Sequence, residues 1–148
     1  MDVDTLVEEL IEREGGYVDH PADRGGPTRW GITERVARAH GYRGEMRHLP
    51  RQEAADIYRR LYWTRPRFDD VAEPAPSVAA ELFDTGVNMG PPVAARFLQR
   101  ALNALNRGGR DYDDIAVDGR IGPQTRAALR KYQAANGLQV NGRIDAPT

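Results

Sequence analysis

The sequence predicts a mainly α-helical protein. Apolar residues recur at i, i+3, i+4, i+7 in several separate stretches, as on one face of a helix. Pairs of glycine and clusters of proline separate those stretches. The 40% hydrophobic and 29% charged content suits a folded globular chain. At 148 residues and 16.5 kDa the chain can bury one core, and is too short for two ordinary catalytic domains.

The first helix is marked by Val3, Leu6, Val7, Leu10 and Ile11, and Gly15-Gly16 ends it. A glycine-rich loop follows, holding Asp19, His20 and Asp23, then Gly25-Gly26, Thr28, Trp30 and Gly31. Thr33 can cap a short helix carrying Val36 and Ala37, with Gly41 at its end. Pro50 suits the first position of a helix whose face is Ala54, Ile57, Tyr58, Leu61 and Tyr62. Its aromatic end, Tyr58, Tyr62 and Trp63, is expected in the core ahead of a sugar-stacking role.

The stretch from Thr64 to Pro76, with Pro66 and Pro74, reads as a loop. From Ser77 a helix should bury Val78, Ala79, Leu82 and Phe83 and stop before Pro91-Pro92. The next helix, from Val93, is expected to bury Ala94, Phe97, Leu98, Ala101, Leu102 and Leu105. Asn106 to Asp114 reads as an exposed loop. The turn signals Val117-Asp118-Gly119 and Gly122-Pro123 then lead into a helix carrying Ala128, Leu129 and Tyr132. Val117-Asp118-Gly119-Arg120-Ile121 is echoed by Val140-Asn141-Gly142-Arg143-Ile144, a local repeat too short for a solenoid.

The chemistry centres on Glu14. It stands three residues after Ile11, four after Leu10 and seven after Val7, so it continues the apolar stripe and is expected to face the buried side. Loss of water and the negative end of the helix dipole would then favour its protonated form, as a general acid requires. The alternative is that Glu14 only ends the helix and points into solvent. A helix-end acid before a polar glycine loop with a second carboxylate, Asp23, fits hydrolysis of a glycosidic bond, which places two oxygen groups around one linkage. Tyr17, Thr28 and Trp30 are candidates to line a cleft, although Tyr17 and Trp30 serve equally well as braces of the loop. Asp84 and Asn88, four apart, would share a helix face; a mutual hydrogen bond competes there with a substrate role for Asn88.

Glu14-Gly15-Gly16-Tyr17, followed by Asp23-x-Gly25-Gly26-x-Thr28-x-x-Gly31-Ile32-Thr33, resembles the signature of the glycoside hydrolase family 108 peptidoglycan hydrolases. These are N-acetylmuramidases found as phage endolysins and as lysozyme-like proteins linked to secretion. The segments Tyr58 to Trp63, Phe83-Asp84-x-Gly86-Val87-Asn88-x-Gly90 and Leu98-Gln99-x-x-Leu102-Asn103 also look like their family counterparts. The resemblance implies an all-α or mainly α, lysozyme-like fold, with Glu14 as catalytic acid and Asp23 as its best partner. It implies cleavage of the β-1,4 bond after N-acetylmuramic acid. Lytic transglycosylation of the same strand and non-catalytic wall binding are the rival readings. Leu98-Gln99, Val117-Asp118-Gly119, Gly122-Pro123-x-Thr125 and Gln133 resemble small helical peptidoglycan-binding modules. Residues 1–90 are therefore expected to form the catalytic region and 91–148 a module packed into the same globule. The pattern after Ile144 would lead into another helix, so an incomplete module is one reading.

Composition removes other classes. With no cysteine there is no disulfide, thiolate metal site or cysteine nucleophile. The three histidines lack the i, i+4 spacing of a helical zinc site, so neither metal nor cofactor is expected. No P-loop or Gly-x-Ser-x-Gly occurs, and Ser77 is the single serine. Lys+Arg at 21 against Asp+Glu at 22 gives no general pull toward nucleic acid, while leaving room for a local basic face. No apolar run reaches a membrane span, and the acidic start at Met-Asp-Val-Asp is unlike a secretory signal. A monomer made in the cytoplasm is expected, acting on peptidoglycan glycan strands in the periplasm or on the wall after exit through a holin or a secretion system.

Overall fold

The computed structural model describes residues 2–19 and 26–136. His20, Asp23, Gly25 and the whole of the Val140 to Ile144 segment lie outside the described residues. Helix α1, Val3–Glu14, buries Val7, Leu10 and Ile11 as its stripe requires, and carries Asp4 in its first turn, where the helix dipole favours an anion. After Gly15 and Gly16 the chain does not remain a plain loop. It forms a small antiparallel sheet in the order β1-β2-β3, from Tyr17–Val18, Thr28–Arg29 and Ile32–Thr33. Two-residue strands leave no alternation to read in a sequence, which is why the glycine-rich stretch concealed them.

The turn between β2 and β3 is a two-residue hairpin, Trp30 at φ 55° and Gly31 at φ 78°. Positive φ at both positions matches the twist of the flanking strands. Thr33 caps α2, Glu34–Ala39, its hydroxyl accepting from the Val36 amide at 3.3 Å. A 3₁₀ turn, Met46–His48, leads to α3, Arg51–Arg59, with Pro50 as its cap and not its first residue. Ala54, Ile57 and Tyr58 are buried on the expected face, and α3 packs on α1. Arg51 clasps Glu8 at 2.6 Å across that contact, and Arg59 pairs with Asp4.

The chain divides into two compact units, one of Val3–Leu61 and the other built on residues 62–136. A π-type turn, Arg60–Thr64, spans the change of unit and contains buried Trp63, whose ring meets Phe83 edge-on at 6.3 Å. The Thr64 to Pro76 stretch is not simply a loop. It contains the short helix α4, Asp69–Ala72, and buries Phe68, Val71 and Ala75 completely. Four residues make only one turn, too few for a periodic signal between prolines.

Helix α5, Pro76–Met89, and helix α6, Pro91–Ala104, pack against each other across the single residue Gly90. Val78 is half-buried, whereas Ala79, Leu82 and Phe83 are buried as expected. Pro91-Pro92 opens α6 as well as ending α5. The buried face of α6 is Ala94, Ala95, Leu98, Gln99 and Leu102; Phe97, Ala101 and Leu105 are exposed, contrary to the apolar stripe. Gln99 takes the interior because its amide is fully used there.

That amide organises the C-terminal turns. Gln99 Nε2 lies 2.9 Å from Asp118 Oδ1, 2.8 Å from the Arg120 carbonyl and 3.1 Å from Thr125 Oγ1, while its Oε1 accepts from the Gly119 amide at 2.9 Å. Helix α7, Pro123–Ala135, starts from this cluster and buries Ala128, Leu129 and Tyr132. The 106–114 segment is only partly exposed. Asn106 is buried and bonds Asp114 at 2.6 Å, and buried Tyr112 donates to the Leu102 carbonyl at 2.6 Å. Burial pushes the Tyr112 hydroxyl up to about 12.

Candidate active site

Glu14 is the last residue of α1, and its side chain is exposed. The expectation that it faces the core fails, because the helix runs out where the stripe would bury it. Gly15 closes the last turn onto the Ile11 carbonyl at 2.9 Å, and at that helix end the Glu14 side chain stays exposed among the described residues, whereas Ile11 one turn earlier is fully buried. The acid is nevertheless held from behind. A Cβ on Gly31 would stand 2.9 Å from Glu14 Cβ and 3.1 Å from its Cγ, and would collide with the Tyr58 hydroxyl. Only a residue without a side chain lets the hairpin turn lie against the stem of Glu14.

The turn is fixed by three further contacts. Tyr58, reaching from α3, donates to the Trp30 carbonyl at 2.6 Å. Trp30 Nε1 donates to the Leu49 carbonyl at 2.9 Å, and the Trp30 amide bonds the Gly16 carbonyl at 3.2 Å. The indole also lies under two cations, with the guanidinium of Arg29 at 4.3 Å and that of Arg51 at 5.4 Å from the ring centre. Trp30 is thus a brace, which offsets the strain of a tryptophan at positive φ. The helix stripe of α3 marked Tyr58 as core, yet its polar end supports the turn. No spacing in the sequence announces that role.

The register separates two of the expected cleft residues. Tyr17 faces Arg29 across β1 and β2, while Val18 faces Thr28, and Thr28 faces Thr33. Opposed residues share a sheet face and successive ones alternate, so Tyr17 and Thr28 lie on opposite faces. Tyr17 lines a cleft of about 290 Å³ with Pro27, Glu34, Arg38, Arg43 and Arg47, and the Arg47 guanidinium sits 5.6 Å from its ring centre. Glu45 also lines it, so the cleft is mixed in charge, with three arginines against two glutamates. Arg38 is already committed to the Tyr42 and Gly44 carbonyls and to Glu34. Thr28 is half-buried in the central strand.

Asn88 belongs to α5 in the other unit, where it and Asp84 are exposed and share no hydrogen bond among the described residues. Asp23, the expected partner of Glu14, lies outside the described residues. Among the described residues no three His, Cys, Asp or Glu side chains gather as a metal site. No helix there is long and apolar enough to cross a membrane.

A family model described as Glycosyl hydrolase 108 matches residues 7–90, and one described as Putative peptidoglycan binding domain matches residues 93–148. The solved structure of SagA from Brucella abortus is similar, with a TM-score of 0.60 and 34% sequence identity, over 87% of this chain and 68% of that one. No curated protein sequence matches.

Proposed function

The chain belongs to the glycosyl hydrolase 108 family and is a glycoside hydrolase of peptidoglycan, and from that premise we propose that it is an N-acetylmuramidase acting through Glu14. The observation that carries this reading is the exposed carboxyl at the end of α1, backed by Gly31 inside the region matched to the family. A solvent-facing acid suits a polymer substrate, since a long glycan strand can reach it only across an open surface. A sugar ring laid over Glu14 would strip away the water and supply the desolvation that burial in the fold does not.

In this mechanism Glu14 gives its proton to the oxygen of the β-1,4 bond as the bond to C1 of N-acetylmuramic acid breaks and cationic character grows on the sugar. Asp23 is assigned to position the attacking water or to stabilise that cation. A route through the 2-acetamido group of the sugar would need no second carboxylate. Residues 1–90 are assigned to hydrolysis and residues 91–148 to holding the wall.

Mass spectrometry of borohydride-reduced products from purified peptidoglycan tests the reading. Reduced muramic acid ends are expected with the wild type. With Glu14→Gln they should fall about 100-fold to 10,000-fold, the usual worth of general acid catalysis. Anhydro ends would move the assignment to a lytic transglycosylase. Absence of release from wild type, with wall binding intact, would replace the enzyme by a binding protein.

A further inference from the structure

The C-terminal unit contains a cleft of about 300 Å³ between the 112–115 segment and helix α7. Its two walls differ in charge. One carries Asp113 and Asp114, both exposed. The other is a stripe of α7, Gln124, Ala127, Ala128 and Lys131, spaced i, i+3, i+4, i+7 so that all four face one way. Alanine at the two middle positions keeps the floor low, and buried Tyr112 makes it firm through its bond to the Leu102 carbonyl. Lys131 is the single lysine of the sequence; the other 20 basic residues are arginines, out of 21 Lys+Arg.

Neither Asp113 nor Lys131 forms an ion pair among the described residues. Asp114 gives one oxygen to the Asn106 amide at 2.6 Å, which fixes its carboxylate and leaves the other oxygen available. Opposite charges that stand on facing walls without closing on each other suit a ligand that carries both charges itself. A neutral N-acetylated sugar would use neither. A short peptide with a free amine and free carboxylates would use both.

Resting on the reading of this chain as a peptidoglycan hydrolase, we propose that this cleft binds the stem peptide of the wall, with the amine of its diamino acid at Asp113 and Asp114 and a carboxylate at Lys131. The module would thus hold the peptide, leaving the glycan strand to the catalytic unit. Charges at a solvent-exposed rim confer modest affinity, so retention on the wall would come from many peptides along one polymer.

The lone lysine supplies the probe. Full-length protein carrying Glu14→Gln is reductively methylated with ¹³C-formaldehyde, which labels Lys131 and the α-amine and keeps the positive charge. The tripeptide L-Ala-D-Glu-diaminopimelate is then titrated against it and followed by NMR. A saturable shift of the Lys131 dimethylammonium signal is expected, with no shift from amidase-stripped glycan. Tripeptide affinity, measured by calorimetry, should drop roughly twofold to fivefold for each of Lys131→Met and Asp113→Asn, the range of exposed charge pairs. A shift caused by the stripped glycan, or tripeptide affinity unchanged in both variants, overturns the proposal. The release of reduced muramic ends by wild type is read separately, so failure of the peptide site and failure of the muramidase reading are distinguishable.

Discussion

Replacing Gly31 with alanine probes the packing on which the placement of Glu14 depends. The backbone there has φ 78°, and an added Cβ would meet Glu14 Cβ at 2.9 Å, Glu14 Cγ at 3.1 Å and the Tyr58 hydroxyl closer still. A left-handed conformation costs an L-residue about 1–2 kcal/mol, and forcing a methyl into a filled space typically costs a further 1–3 kcal/mol. Together these predict a loss of about 2–5 kcal/mol in urea unfolding, with activity falling further than stability because Glu14 is one of the two side chains that must yield, beside Tyr58. Gly16→Ala is the control. It has φ 62° and, among the described residues, no atom within 4 Å of its added Cβ, so the conformational cost of about 1–2 kcal/mol is what applies. Tyr58→Phe, which alone forfeits the bond to the Trp30 carbonyl, should be less harmful in the Gly31→Ala background because it removes one of the colliding atoms. Equal losses for the two glycine variants, with no coupling to Tyr58→Phe, would refute the close approach of the turn to Glu14.

The remaining predictions concern the acid and the C-terminal turns. Because the Glu14 side chain is exposed, Glu14→Gln should change unfolding free energy by less than about 0.5 kcal/mol while abolishing most release of wall fragments; a destabilised variant would mean the side chain is structural. Gln99→Leu should cost about 2–5 kcal/mol in denaturant unfolding, since it orphans the Gly119 amide and the Arg120 carbonyl within the turn cluster; a neutral result would show that water replaces the amide. Hydrogen bonds from Gln99, first, and from the Arg120 amide hold the Asp118 carboxyl below its usual range. Its contribution to stability is therefore present above the unfolded value of about 3.9 and is lost as pH falls through the lower folded value. Asp118→Asn keeps an acceptor at that position, so the stability difference between wild type and variant should shrink on acidification below about pH 4. A difference that stays flat from neutrality down through that window would refute the linkage.

Periodicity determined the helices that are long enough to repeat. The stripes of α1, α3 and α7 are buried at Val7, Leu10 and Ile11, at Ala54, Ile57 and Tyr58, and at Ala128, Leu129 and Tyr132. Local chemistry likewise determined the Thr33 cap and the end of α1 at the glycine pair. Short elements and rotations escaped, because both depend on residues distant in sequence. The sheet of two-residue strands exists through cross-strand bonds, and α4 persists by burying Phe68 and Val71. Helix α6 turned its apolar Phe97 and Leu105 outward because Gln99 finds four polar partners some 20 residues on, which no local hydrophobic pattern contains. For the site, the residue types and spacing around Glu14 pointed to an acid at a helix end, since that much is local. Whether its carboxyl met the core or solvent was decided only by where α3 and the Trp30-Gly31 turn came to rest beside it.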